Sequence, residues 1–206
     1  MANECMNYIT IKGDKDLLQI FADSYLEKIK AKDYELDFNI IAPIPEDCDN
    51  DYDFRIQNWG NKWDGTNGYV SFHLDSKEPE IFLDVATAWG PCLPITIKLI
   101  ELCPALYFYH EYYEPGMGFC GYIEHFAEDS PDYYIEKEYS VDYDPREYWI
   151  FMFDKEFENF DWLYDYVNEM VDDKELSSED GALIHSMIEH DSIENIVDYC
   201  IRKGVL

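Results

Sequence analysis

Short apolar alternations fill the first half of the chain, each set apart by a helical stretch or a turn. Residues 7–13 (NYITIKG) alternate and are rich in β-branched side chains, which predicts a strand closed by Gly13. Asp14 stands where a helix N-cap belongs, and Leu18, Phe21, Tyr25 and Ile29 then fall on one helical face. Residues 38–44 read as a second strand, stopped by Pro43 and Pro45 and followed by an acidic loop over residues 46–53. Residues 69–74 and 81–86 read as strands. Pro91 and Pro94 suit a helix start, where an N–H has no partner to lose, so residues 95–102 are predicted helical and end before Pro104. Residues 106–113, 119–126 and 133–139 read as further strands, with a turn at Glu114, Pro115 and Gly116.

Beyond about Tyr143 the period becomes helical. Phe160, Leu163, Val167 and Met170 keep one face, and Ser177 to Asp180 can cap a helix carrying Leu183, Ile184, Met187 and Ile188. Asp191, with Glu194 three places on, resembles a capping box for a last helix that buries Ile193, Ile196, Val197 and Cys200 and ends at Gly204. The order strand, helix, strand, then strands, helix, strand predicts an α+β fold: a ferredoxin-like antiparallel sheet with helices on one face, plus a C-terminal helical segment. The expected division is residues 1–145 for the sheet domain and 146–206 for the acidic helical segment.

Charge narrows the partners. The chain of 206 residues carries 15 basic and 45 acidic side chains, net −30, so phosphate backbones and anionic membranes would be repelled. Residues 1–104 hold 9 basic and 19 acidic residues, and residues 105–206 hold 6 and 26. A basic protein surface, such as the nucleic-acid-binding face of a host protein, is the partner this charge favours; solubility alone is the plainer explanation of it. The six cysteines form no C-x-x-C pair, and no signal-like or membrane-length apolar run is present, so reduced thiols and a cytoplasmic location are expected.

No catalytic signature emerges. Asp47, Asp49, Asp51 and Asp53 alternate like calcium ligands, but the sixth and twelfth places hold Tyr52 and Asn58 counted from Asp47, or Phe54 and Gly60 from Asp49, where an EF-hand needs Gly and Glu. His73, His110, His125, His185 and His190 form no H-E-x-x-H, and neither a G-x-S-x-G nor a phosphate-binding glycine loop occurs. No cofactor, no metal site and no catalytic residue is therefore expected. The distinctive segments are residues 58–64 (NWGNKWD) and 87–91 (TAWGP), which place Trp59, Trp63 and Trp89 beside Gly or Pro, with Lys62 and Asp64 adjoining. A tryptophan offers a large apolar body with one donor, which suits a binding wall and a small core alike.

These segments, taken in order with NIIAPIPED and EPGMGFCGYIEHF, resemble the Api92-like family with a ferredoxin-like domain, found in phages, plasmids and genomic islands. The likeness spans residues 1–130 or so, and Asn61 stands where that family often has Thr in W-G-T-K-W. It implies a ferredoxin-like sandwich and a mobile-element setting, and no activity. The function expected is thus a non-enzymatic acidic interaction protein imitating nucleic acid, with Asp142, Asp144, Asp172 and Asp173 in its contact clusters and Tyr133, Tyr134, Tyr139 and Tyr143 adding aromatic surface. The alternative is a small binding module whose groove, lined by Trp59, Trp63 and Trp89, takes a peptide or small ligand.

Overall fold

The computed structural model describes residues 3–26, 36–48, 51–155 and 159–206. The chain divides into two compact units, one of residues 1–117 and 121–138, the other of residues 118–120 and 139–206. Six strands, β1 (Glu4–Lys12), β2 (Thr66–His73), β3 (Glu80–Ala88), β4 (Tyr107–Glu114), β5 (Phe119–His125) and β6 (Ile135–Ser140), form one sheet in the order β2-β3-β1-β4-β5-β6. β1 runs antiparallel to both β3 and β4, with Ile9 opposite Leu83 on one side and His110 on the other. The fold is mixed α+β with an antiparallel sheet. Its six-strand order is not the four-strand order of a plain ferredoxin-like domain, because β5 and β6 extend the β4 edge.

Alternation explains the first core. Cys5, Asn7, Ile9 and Ile11 of β1 are buried while their neighbours are partly exposed. Ile9, Ile11, Ile81, Leu83, Val85 and Phe108 form one apolar cluster with Leu18 and Phe21 of α1 (Lys15–Phe21) and Ile95, Leu99 and Ile100 of α4 (Leu93–Leu102). Both helices therefore pack into the core that the inward face of these strands supplies. Asp14 caps α1 as its position suggests, accepting from the N–H groups of Asp16 and Leu17. The helix continues as a π-helical turn, Ala22–Leu26, whereas Ile29 lies outside the described residues.

Two local readings are corrected. The expected strand at 38–44 is instead a single helical turn, α2 (Phe38–Ile41): Asp37 accepts from Asn39 N–H and Asp64 from Phe38 N–H, so two carboxylates hold its open N-terminus. Pro43 then holds Ala42 out of the helical region. The expected acidic loop at 46–53 is interrupted by α3 (Asp51–Trp59), whose first turn carries Asp51 and Asp53, favourable beside the positive end of the helix dipole. Asp49 lies outside the described residues.

The second unit holds α5 (Pro145–Asp154), α6 (Phe160–Asp172), α7 (Ser178–His190) and α8 (Ile193–Lys203). Leu163, Val167, Ile184, Ile196, Val197 and Cys200 form its core. Ser177 caps α7 as read; the cap of α8 is Ser192 rather than Asp191, whose carboxylate instead accepts from Asn195 Nδ2. Gly204 ends α8 at φ 72°, a left-handed value that a side chain would disfavour. Asp180 ties α7 to α8 through Lys203 Nζ at 2.8 Å and the Tyr199 hydroxyl at 2.8 Å, and these contacts hold its carboxyl down at about 2. Among the described residues no helix is long and apolar enough to cross a membrane.

Helices α6 and α7 meet at Gly181, where an added Cβ would stand 2.6 Å from Val171 Cγ2. Gly181→Ala gains about 1 kcal/mol of helix propensity, but overpacking against a stiff β-branched neighbour costs about 1–3 kcal/mol. The variant is expected to unfold at lower urea than the parent, and adding Val171→Ala is expected to recover part of the loss.

Candidate functional site

The two tryptophan motifs meet. Gly60 follows α3 at φ 73°, a left-handed value that favours glycine, and an added Cβ would lie tightly at 3.0 Å from Pro91 O. Asn61 Nδ2 donates to Gly90 O at 3.1 Å. The Lys62 ammonium then stands 4.4 Å from the centre of the Trp63 ring and 5.9 Å from that of Trp89, so one cation faces two exposed indoles. Trp59 is not part of this surface. It is 1% exposed, packs edge-on to Phe38 and donates its Nε1–H to Ala42 O at 2.8 Å, which makes it a core residue. Asp64 is spent on the backbone of α2. The structure thus brings Lys62, Trp63 and Trp89 together and assigns Trp59 and Asp64 to the scaffold.

Trp89 occupies the left-handed region at φ 70°, uncommon for a residue with a side chain. Its N–H donates to Asn3 O at 3.0 Å, while the following Gly90 carbonyl accepts from Thr87 Oγ1 at 2.7 Å and from Asn61. The surrounding hydrogen bonds fix a conformation that the residue alone would avoid.

Beneath that loop lies a buried polar network that the motifs did not announce. Asn7 Nδ2 shares its two N–H groups among Cys5 O, Val85 O and Thr87 Oγ1, at 2.9, 3.0 and 2.8 Å. Its Oδ1 accepts from Cys92 N–H at 3.1 Å and from His110 Nε2 at 3.1 Å. With Asn7 so oriented, His110 carries its proton on Nε2, and Nδ1 accepts from the Thr96 hydroxyl at 2.8 Å. Burial drives the imidazole down to about 3 and the Cys92 thiol up to about 12. Both imidazole nitrogens are engaged, Nε2–H with Asn7 and Nδ1 with Thr96, and burial disfavours the Cys92 thiolate, so the grouping is held as a hydrogen-bonded structural unit. It is a fastener.

Beside the tryptophans, at the end of the sheet where β1 and β2 begin and β3 and β4 finish, a groove of about 730 Å³ is lined by Asn3, Glu4, Met6, Trp63, Thr66 and Glu114, among others. Glu114 is 1% exposed. Its Oε2 accepts from Met117 N–H, and among the described residues its Oε1 has no hydrogen-bond partner. Nothing in the sequence marks this carboxylate among 45, apart from its position between a strand and a Pro-Gly turn.

The sheet face opposite the α1 and α4 core forms a second surface. One row across it runs Tyr69, Asp84, Tyr8, Glu111, and the next runs Ser71, Phe82, Thr10, Tyr109. Tyr8 is pushed up to about 12, first by burial and then by Asp84. The acidic clusters belong to the second unit: Asp142 and Asp144 precede α5, and Asp172 and Asp173 end α6, all four exposed. Asp172 and Asp173 sit at the negative end of their helix, an arrangement that costs stability. Among the described residues no group of three or more His, Cys, Asp or Glu is placed to hold a metal ion.

A solved structure shares this fold. The crystal structure of protein api92 from Yersinia pseudotuberculosis, of the family model DUF1281, aligns with a TM-score of 0.50 at 11% identity over 68% of this chain and 99% of that one. At such identity the likeness is one of fold. No protein-family model matches the chain, and no curated protein matches it either.

The His110 shift gives a pH test with a defined sign. An unfolded histidine titrates near its ordinary value of 6.5 and the folded one near 3. The unfolded chain therefore binds more protons between those values, and this contribution to stability is full above pH 6.5 and lost as pH falls towards 3. The slope attains at most about 1.4 kcal/mol per pH unit. Acid also relieves repulsion among carboxylates, so the measurement is the difference between the parent and His110→Gln in urea unfolding from pH 7 to 4. The parent is expected to lose more stability over that range than the variant.

Proposed function

We propose that this chain is a non-enzymatic acidic interaction protein that engages a basic protein surface, of the kind that ordinarily binds nucleic acid. The observation that carries the reading is the charge count: 45 acidic side chains against 15 basic ones leave a surplus of 30 that no internal pairing can neutralise. Part of it is displayed on helix ends, at Asp142, Asp144, Asp172 and Asp173. A cleft built to bind phosphates would accept such carboxylates and shed its own counterions in doing so.

For the first unit we infer a ferredoxin-like, Api92-like core of the sort carried by phages and plasmids. Support comes from the api92 likeness and from the sub-order β2-β3-β1-β4, with α1 between β1 and β2 and α4 between β3 and β4. A second reading, a peptide-binding module, is favoured by the Lys62, Trp63 and Trp89 cluster, of which Trp63 lines the groove.

The test is retention of nucleic-acid-binding proteins on the immobilised chain at 50 mM salt, followed by displacement of duplex DNA from each purified partner. Surface attraction is screened over about 10 Å at 0.1 M salt, so release is expected well below 1 M. The paired neutralisations Asp142→Asn with Asp144→Asn and Asp172→Asn with Asp173→Asn are expected to weaken displacement. Partners that hold at 1 M salt and are lost with Trp63→Ala would shift the function to the groove.

A further inference from the structure

We propose that the groove at the end of the sheet is a receptor for one arginine side chain of a basic partner, with Glu114 Oε1 as the acceptor of its guanidinium. The proposal rests on the reading of the chain as a binder of basic proteins and names the contact that would give it specificity.

Three features converge. First, Glu114 is a carboxylate at 1% exposure that lines an open groove, and among the described residues its Oε1 has no hydrogen-bond partner; the oxygen is all but closed to solvent, so a donor meets it when the Glu114 side chain turns towards the groove. A buried acceptor left without a donor is costly, and a cationic donor arriving in the groove removes that cost. Second, the other walls fit the rest of an arginine. Met6, Ala88 and Pro115 offer apolar contact for a methylene stem, and the Trp63 ring lines the same groove. The attraction of these indoles for positive charge is visible within the molecule, since the Lys62 ammonium already rests against Trp63 and Trp89. Third, Glu4 at the rim adds a second negative charge. An anionic or purely apolar ligand would leave Glu114 Oε1 unpaired, so the groove's chemistry selects a cation with an apolar shaft. Arginine is preferred to lysine because its flat fork can stack on an indole while it donates to a carboxylate.

The experiment uses the full ¹⁵N-labelled chain and three capped tripeptides, Gly-Arg-Gly, Gly-citrulline-Gly and Gly-Lys-Gly, followed by amide and indole NMR shifts. The arginine peptide is expected to move the Gly116 and Met117 amides and the Trp63 indole, and the uncharged citrulline peptide is expected to leave them in place. Glu114→Gln, which keeps an acceptor for Met117 N–H, is expected to raise Kd at least about 10-fold. Trp63→Ala is expected to raise it about 3-fold or more, and Glu4→Gln on the rim less than about 2-fold. A spectrum unchanged elsewhere shows that each variant is folded; should Glu114→Gln fail to fold, Trp63→Ala and the citrulline comparison decide.

Equal shifts with citrulline, equal affinity for the lysine peptide, wild-type affinity in a folded Glu114→Gln, or shifts mapping away from Gly116 and Trp63 would each overturn the assignment. The two readings fail separately. A salt-sensitive basic partner indifferent to Glu114→Gln removes the groove and leaves the interaction protein standing. Arginine binding in the groove without any such partner does the reverse.

Discussion

One side-chain amide organises the first unit. Asn7 sits in the middle of the sheet, at a position whose alternation demands an apolar residue, and spends both ends of its amide on backbone and side chains far away in sequence. An amide buried without partners would be strongly destabilising, so the fold is stable only when residues 85–92 and His110 are all in place around it. The same contacts position the turn that carries Trp89 at its unusual backbone angle, and with it the exposed indole over Lys62. Surface aromatic geometry is thereby dictated by a polar knot that solvent does not reach.

What could be read from the sequence was the part governed by short-range periodicity. The strands at 81–86 and 106–113, the helix beginning near Pro94 and the Ser177 cap all appear close to where alternation and capping chemistry put them. Residues 38–44 misled because an apolar run bounded by prolines fits a strand and a single helical turn equally; the choice fell to Asp64, a carboxylate from a distant loop. Helix α5 lay in a stretch whose tyrosines, Trp149 and phenylalanines suit either period. Asn7 and His110 were present in the inward phase of their strands, but a polar residue in phase says only that a partner must exist, not which one. Trp59 and Trp63, four residues apart in one motif, have opposite fates because α3 ends between them at Gly60. Glu114 was illegible for a simpler reason: its distinction is burial, which depends on where β1, β2 and β3 end.

The two units use charge differently. In the first, carboxylates such as Asp14, Asp37 and Asp64 are absorbed into caps, where backbone N–H groups satisfy them. In the second, Asp180 and Asp198 take up Lys203 and Arg146, two of the few cations available there. Others in that unit, such as Asp142, Asp144, Asp172 and Asp173, face water, where mutual repulsion works against the folded state.

That repulsion makes ionic strength a two-handed variable for this chain. Dissolved cations gather around the surplus carboxylates and reduce the strain of crowding them onto one molecule, so added salt firms the fold. A basic neighbour would perform the same service with its lysines and arginines, while releasing those cations to the solvent. Salt and partner are then rival occupants of one ion atmosphere, and a folded chain in dilute buffer carries an unspent electrostatic demand that any cationic surface can meet.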